Sequence, residues 1–307
     1  MALDSSVEEL SVSAGGVLTL CSPEELCVRR PDDLHVTQRL RCARSAGAHG
    51  RPGWARWGPS GRWAAAHCVW RSGGSLEASE TLSTCVWDGQ NGRRVRCVEG
   101  TQPGYHRQPM DFSGDGTLAV SVLDGFELLR PPAFRRVGMV GDGAGAMDHN
   151  VFMRWSRSGE QMMVLSDYGC AIYEPGTEEP VATFEAEGLF LAQATSPAAD
   201  ETAVLYSELL AVHGADGGIA ARTDLEAASG QVRWSHDGQL LVATWRRDDA
   251  SGFTVFGREG LRVLRAAERS GGDAHVPVAW HPSRNTLAFA DGSAVRLRDF
   301  QVDAEAP

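Results

Sequence analysis

The sequence contains no lysine, so arginine supplies all 29 of its basic residues. Schiff-base chemistry and a P-loop phosphate site both need a lysine amine, and the sequence therefore excludes both. A GC-rich genome, which favours arginine codons, is one explanation for this composition. Selection against lysine modification is the other.

Long apolar runs are also missing. No stretch approaches the roughly 18 consecutive apolar residues of a membrane-spanning helix, and the first ten residues, MALDSSVEEL, are acidic and unlike a secretory signal. Acidic residues outnumber basic ones by 40 to 29, and the net charge of -11 would repel a phosphate backbone. We therefore expect a cytoplasmic protein with no membrane and no nucleic-acid partner, either monomeric or a subunit of a complex.

The seven cysteines show no C-x-x-C spacing. Their odd number and their spacing predict neither a disulfide framework nor a zinc knuckle. Cys21 and Cys27 could face each other across a hairpin, but a reducing compartment disfavours a stable bridge. We expect most of the cysteines to be small buried apolar residues.

One phrase recurs along the chain: an aromatic anchor, a turn rich in Ser, Asp and Gly, and a second apolar segment. The clear copies are RWGPSGRWAAA at Trp57, DFSGDGTLAVS at Phe112, RWSRSGEQMMV at Trp155, RWSHDGQLLVA at Trp234 and AWHPSRNTLAF at Trp280. Two weaker copies are SVSAGGVLTLC at Val12 and ATSPAADETAVLY at Thr195, and successive anchors lie 39 to 55 residues apart. Repeats of this length predict one supersecondary unit per repeat.

Each unit is predicted to form four strands. The anchor strand enters a turn whose glycine allows positive φ, a small or β-branched strand follows, and segments such as TCVWDG and RVRCVEG supply the third and fourth strands. No segment shows a convincing period of 3.6 residues, so the sequence predicts an all-β protein. The units cover approximately residues 5–45, 50–100, 106–140, 149–188, 189–226, 229–268 and 275–307.

Seven four-stranded antiparallel sheets bury their apolar faces best when they stack radially, because each sheet then covers its neighbour and leaves only short edges. The predicted fold is therefore a seven-bladed β-propeller of four-stranded antiparallel blades, formed by residues 1–307 as a single domain. We expect the anchor tryptophans to fill the space between successive blades.

Two segments of the sequence resemble the motifs of a known family. WSHDGQLLVAT and CVWDGQNGRRVRCVEG, which contains Trp87 and Asp88, resemble the motifs of the tryptophan-aspartate (WD) repeat family. The signature pair occurs once and no Gly-His pair precedes the anchors, which indicates a divergent bacterial-type member. In that family an N-terminal strand often completes the last blade. Here the seventh unit has little room for a fourth strand, so we predict that one terminus, for example residues 1–8, supplies it.

Three histidines precede their anchors by nearly the same distance: His106, His149 and His275, with His49 farther away. Equivalent positions of a ring lie on one circle, so these imidazoles could gather at the mouth of the central channel and bind a transition metal, with Asp148 adding an oxygen. The alternative is that they are solvent-exposed loop residues. We expect no metal and no other cofactor.

Arginine stands immediately before the anchor at Arg56, Arg154 and Arg233, and Asp111 occupies the matching position of the third unit. Because side chains alternate along a strand, these four share an orientation and could line the channel as an anion-binding surface. In the alternative, each arginine packs its stem on a tryptophan and pairs with a neighbouring acid.

Catalytic motifs are absent from the sequence. The segment VGDGAGAMD approaches a dinucleotide fingerprint, but a strand rather than a helix follows it, and no G-x-S-x-G or H-E-x-x-H motif occurs. We therefore expect a non-catalytic scaffold that binds a protein or peptide on one face. The alternative is an enzyme or a metal- or small-molecule-binding propeller that uses channel-mouth histidines and arginines. Predicted partner-binding residues are Trp54, Tyr105, Arg107, His149, Tyr168 and Trp245.

Overall fold

The computed structural model describes residues 11–13, 16–22, 25–29, 35–42, 50–72, 79–99, 110–122, 125–141, 152–166, 169–270, 276, 278–281, 283–291 and 294–301. Across these ranges the regular elements are β-strands and one short 3-10 turn, Glu259–Leu261. The predicted all-β class is therefore confirmed.

The strands form seven sheets, numbered in chain order. Sheets 1 to 3 contain β1 Ser11–Ser13, β2 Gly16–Ser22, β3 Glu25–Arg29 and β4 Val36–Arg41; β5 Gly50–Trp57, β6 Trp63–Ser72, β7 Ser79–Asp88 and β8 Arg94–Glu99; and β9 Met110–Phe112, β10 Leu118–Val122, β11 Gly125–Arg130 and β12 Arg135–Val140.

The remaining strands belong to sheets 4 to 7. They are β13 Phe152–Trp155, β14 Met162–Ser166, β15 Gly169–Tyr173 and β16 Ala182–Phe184; β17 Phe190–Thr195, β18 Thr202–Tyr206, β19 Leu209–His213 and β20 Ile219–Asp224; β21 Ser229–Trp234, β22 Leu240–Arg247, β23 Ala250–Gly257 and β24 Val263–Ser270; and β25 Val278–Trp280, β26 Thr286–Asp291 and β27 Ala294–Asp299.

Strands within each sheet lie in chain order, so neighbours in sequence are neighbours in the sheet. Each sheet corresponds to one predicted repeat unit. Six sheets have four strands, whereas sheet 7 has three strands within the described ranges. The prediction that a terminal segment adds the fourth strand concerns residues 1–10 or 302–307, which lie outside the described residues, and it stays a prediction.

The repeated turn phrase closes the first hairpin of its sheet. In sheet 6, the Gly238 N–H donates to the Ser235 carbonyl at 3.0 Å, and Asp237 Oδ1 accepts the Ser235 hydroxyl at 2.6 Å and the Gln239 N–H at 3.0 Å. Gly238 has φ +68°, and an added Cβ would lie 2.6 Å from the Ala198 Cβ. The motif thus needs an aspartate whose carboxylate accepts hydrogen bonds within the turn. It also needs a glycine whose positive φ lets the chain reverse direction.

The chain divides into two compact units. Unit 1 comprises Met1–Trp155 and Tyr173–Val181, and unit 2 comprises Ser156–Ile172 and Ala182–Pro307. The prediction of a single domain stays a prediction.

Anchor aromatic residues belong to the cores of these units. Trp57 shares a core cluster with Leu40 of sheet 1 in unit 1. In unit 2, Trp234 shares a cluster with Leu205 of sheet 5, and its indole N–H donates to the Ala194 carbonyl at 2.9 Å. The prediction that the anchors fill the space between successive sheets is confirmed at these two positions.

Disulfides cross-link unit 1, so the prediction against them was wrong. Cys42, which follows β4, is bonded to Cys68 of β6, and Cys85 of β7 is bonded to Cys97 of β8. Cys27 of β3 is also disulfide-bonded. Cysteine spacing did not reveal these bonds because strand register brings the sulfurs together; Cys85, for example, lies directly opposite Cys97 in the β7–β8 ladder.

No helix in the described part of the chain is both long enough and apolar enough to cross a membrane.

Candidate functional site

Most of the predicted partner-binding and metal-binding residues fall outside the described residues. These are His49, Tyr105, His106, Arg107, Asp148, His149, Tyr168 and His275. Trp54 lies in β5, but its side chain is not described. The binding roles of these residues stay predictions.

Trp245 lies in the core of unit 2. It is 5% exposed, and its indole N–H donates to the Thr254 hydroxyl at 3.2 Å. The Arg247 guanidinium covers the ring at 5.1 Å from its centre. The structure therefore leaves little of this ring for a partner.

An ion pair joins two of the four residues predicted to line a channel. Arg154 donates to Asp111 at 3.1 Å, and the Trp155 N–H donates to the other carboxylate oxygen of Asp111 at 3.2 Å. Both charged side chains are largely buried, at 13% and 15% exposure. At this position the structure agrees with the alternative in which the arginine pairs with a neighbouring acid.

The other two channel residues are arginines with partial burial. Arg56 is half-buried in β5, and Arg233 approaches the Gln231 side-chain oxygen at 3.4 Å in β21. A channel role for the four residues stays a prediction.

A buried polar chain that the sequence analysis missed links Cys170, Tyr206 and His213 in unit 2. His213 Nδ1 lies 3.0 Å from the Gly217 carbonyl, so this nitrogen carries the proton. His213 Nε2 therefore accepts the Tyr206 hydroxyl proton across 3.1 Å. The Tyr206 hydroxyl is also hydrogen-bonded to the Cys170 thiol. The Phe184 ring stacks on the imidazole at 4.9 Å between ring centres.

Burial keeps these three hydrogen-bonded side chains uncharged. It raises the pKa of the Cys170 thiol to about 12 and also raises the pKa of Tyr206. It lowers the pKa of His213, although the hydrogen bond to Gly217 acts in the opposite direction. A protonated thiol is a poor nucleophile. We therefore interpret these hydrogen-bonded side chains as structural.

An open cavity lies within unit 2. Its volume is about 20 Å³, which is room for about one water molecule. The buried Met163 and Ile172 line it together with the polar residues Thr202, Ser156 and Asp200. The cavity is therefore a shallow feature of the turn surface.

Hydrogen bonds between turns fix the wall of this cavity. Arg157 donates to the Ala198 carbonyl at 2.7 Å, and the Ser158 N–H donates to Asp200 Oδ1 at 3.0 Å. These bonds join the first hairpin turn of sheet 4 to that of sheet 5. The opposite wall, at Gly214 and Ala215, belongs to the β19–β20 turn, which closes through a bond from the Gly217 N–H to the Gly214 carbonyl at 3.0 Å.

Similar bonds continue along the turn surface of unit 2. Arg258 of sheet 6 donates twice to Glu201 of sheet 5, at 3.0 and 2.8 Å. Asn285 of sheet 7 donates to Asp237 of sheet 6 at 2.8 Å. Burial by itself would raise the pKa of Asp237, but hydrogen bonds from Ser235 and Asn285 hold it below its usual value. The turns around the cavity are therefore held by neighbouring sheets.

Comparison with solved structures shows which fold these sheets form. A dihydro-heme d1 dehydrogenase, NirN, in complex with DHE superposes with a TM-score of 0.56 at 16% identity, over 87% of this chain and 58% of that one. This chain thus spans less than two thirds of that protein. A eukaryotic initiation factor superposes with a TM-score of 0.53 at 11% identity, over 94% of this chain and 86% of that one.

The fold is that of a seven-bladed β-propeller. Each sheet is therefore one blade. No protein-family model matches the chain, and no curated protein matches it. At these identities the likeness shows the fold alone, and many different functions occur on one propeller architecture.

The single Trp-Asp pair of the propeller lies in blade 2. Trp87 is buried at 1% exposure, and Asp88 Oδ1 accepts the Gln90 N–H at 2.9 Å. Arg62 approaches the other carboxylate oxygen at 3.6 Å. This aspartate therefore stabilises the turn between the third and fourth strands of its blade.

Proposed function

We propose that this chain is a divergent WD-repeat-like propeller that acts as a non-catalytic protein-interaction module. It binds its partner on the turn surface of unit 2, around the cavity. The observation that carries this proposal is the pair of hydrogen bonds from Arg157 and Ser158 to the neighbouring turn, which hold this surface in place. A wall that is already ordered loses little conformational entropy on binding.

The cavity is smaller than a typical cofactor site. Small-molecule and cofactor sites typically enclose about 300–1,000 Å³, whereas this cavity has a volume of about 20 Å³. The proposed contact is therefore with the surface formed by the turns, where a few well-packed residues contribute much of the binding energy of an interface.

The cellular location stays a prediction. The sequence favours the cytoplasm, but the disulfides of unit 1 count against it, because reducing compartments keep most thiols reduced.

The alternative function, an enzyme or a metal- or small-molecule-binding propeller, depends on His106, His149 and His275. These residues lie outside the described ranges, so that alternative stays a prediction.

Covering the turn surface around the cavity tests the proposal. Proteins captured from the native host by the wild type would be quantified by mass spectrometry beside those captured by Ala215→Trp, which places an indole at the rim. Ala220→Trp is the matched control, because Ala220 is exposed on β20 and does not line the cavity. We expect a partner that the wild type and the control retain and that Ala215→Trp loses. Equal capture by all three proteins, or capture by none, would contradict the proposal.

A further inference from the structure

We propose that the Cys85–Cys97 disulfide of blade 2 is a thiol-exchange site, a reversible modification site for low-molecular-weight thiols. Cys97 is the sulfur that the small thiol attacks, and Cys85 is both the leaving group and the resolving cysteine. The bond joins β7 to β8 in unit 1, whereas the proposed partner surface belongs to unit 2.

Burial distinguishes the two cysteines of this bond. Cys85 is 0% exposed on β7, whereas Cys97 on β8 is only partly buried. β8 is the last strand in the order β5-β6-β7-β8, so it forms an edge of its sheet within the described residues. Exchange depends on which sulfur the attacking thiolate can reach. From solvent, the attack therefore falls on Cys97.

The other disulfide of this core has no comparable access. Cys42 and Cys68 are 2% and 0% exposed, and they belong to the same core cluster as Trp57 and Trp87. A small thiol would reach either cysteine only after this core opens. Exchange at Cys97 therefore leaves the cross-link between blades 1 and 2 in place.

The exchange step balances without an added oxidant. The thiolate of the small thiol forms a bond to Cys97 Sγ, the bond between Cys97 Sγ and Cys85 Sγ breaks, and the electron pair of that bond stays on Cys85. Cys85 then takes up the proton that the small thiol lost, because apolar surroundings favour the protonated form. The products are a mixed disulfide at Cys97 and a thiol at Cys85.

The strand register makes the modification reversible. Cys85 lies directly opposite Cys97 in the β7–β8 ladder, so the released thiol stays beside the mixed disulfide. A group held in position reacts as if it were present at high concentration. The Cys85 thiolate can attack Cys97 Sγ, expel the small thiol and restore the original bond.

Reduction of the native whole chain by dithiothreitol tests which disulfide is accessible. Samples would be quenched with acid at intervals, unfolded and alkylated, and each disulfide would be quantified by mass spectrometry of its peptides. We expect Cys85–Cys97 to be reduced at least about tenfold faster than Cys42–Cys68, because access limits the exchange. The buried bond is the control within the same molecule.

Two single variants test which sulfur is attacked. In Cys85→Ser, Cys97 has lost its partner, and we expect oxidised glutathione to form a mixed disulfide with it in the native protein. Cys97→Ser is the matched control, because the buried Cys85 should stay unmodified. The buried free Cys170, whose pKa burial raises to about 12, should also stay unmodified in both variants.

Three outcomes would overturn the proposal: equal rates of reduction for the two disulfides, no glutathione on Cys97 in Cys85→Ser, or equally fast modification of Cys85 in Cys97→Ser. The rates of reduction need no variant, so they decide the proposal even if a variant fails to fold.

Discussion

Gln193 carries a primary amide into the core of unit 2. It is 2% exposed, and neither Nε2 nor Oε1 has a hydrogen-bond partner among the described residues. Its neighbour across the ladder is the buried Val204. A buried amide without partners loses its hydrogen bonds to water and gains none in the folded protein. This typically lowers the free energy of unfolding by about 1–3 kcal/mol.

Replacing this amide with an apolar group of similar shape should therefore stabilise the protein. We expect Gln193→Met to raise the free energy of unfolding by about 1 kcal/mol or more, measured by urea denaturation. Gln231→Met is the control: Gln231 accepts a bond from Arg233, so its replacement should give no gain. A loss of stability in Gln193→Met would show that the amide has a partner.

His213 makes the stability of the fold depend on pH. Burial places its pKa in the folded protein below the ordinary value of 6.5, so the unfolded chain takes up a proton at a higher pH than the folded chain does. The contribution of the neutral His213 to stability is therefore fully present above about pH 7. It is lost as the pH drops through 6.5 towards the lower pKa of the folded protein.

Urea denaturation at pH 7.5 and at pH 5.5 measures this contribution. We expect the loss of stability between these values to be smaller in His213→Gln than in the wild type. His236→Gln, at an exposed turn position, should keep the wild-type loss. An unchanged pH dependence in His213→Gln would refute the assignment of the neutral imidazole.

At the scale of elements, the repeated phrase predicted the hairpins well because every part of a turn lies within a few residues. Asp237 and Gly238 act on the turn in which they stand. The pairs Arg154–Asp111 and Cys42–Cys68 join positions 43 and 26 residues apart. Such contacts depend on how sheets pack, and no local pattern in the sequence encodes them.

The disulfide between Cys42 and Cys68 links two blades of unit 1, from the end of β4 to β6. Its cysteines are 26 residues apart, and a covalent loop of this length destabilises the unfolded chain by about 3.5 kcal/mol in the chain-entropy model. We expect the Cys42→Ala, Cys68→Ala double variant to lose about that much free energy of unfolding under oxidising conditions.

Reduction provides the control for this prediction. Dithiothreitol reduces the other disulfides of both proteins as well, so the reduced wild type and the reduced double variant should have similar free energies of unfolding. If the free energies of unfolding of the two reduced proteins differ as much as those of the oxidised proteins, the loss comes from packing of the cysteine side chains. That result would contradict the cross-linking role.

For the whole molecule, the repeats predict one domain, whereas the contacts define two compact units. The cross-links at Cys42–Cys68 and Cys85–Cys97, together with the bonded Cys27, all lie in unit 1. The predicted single domain would unfold cooperatively, so we expect the double variant to melt at a lower temperature in a single transition. Calorimetry measures this as equal calorimetric and van't Hoff enthalpies, and a second transition at the wild-type temperature would instead show that the units unfold independently.

The sequence by itself determined the all-β class and the seven repeat units, because strand alternation, turn residues and repeat length are local properties of the chain. It also placed Trp57 and Trp234 in the cores between successive sheets. Only the tertiary structure decided which cysteines are disulfide-bonded, which nitrogen of His213 carries the proton and which turn residues border the unit 2 cavity. Those features join residues that approach each other only after the sheets pack, and the free energy of each depends on burial and partners that the sequence order does not state.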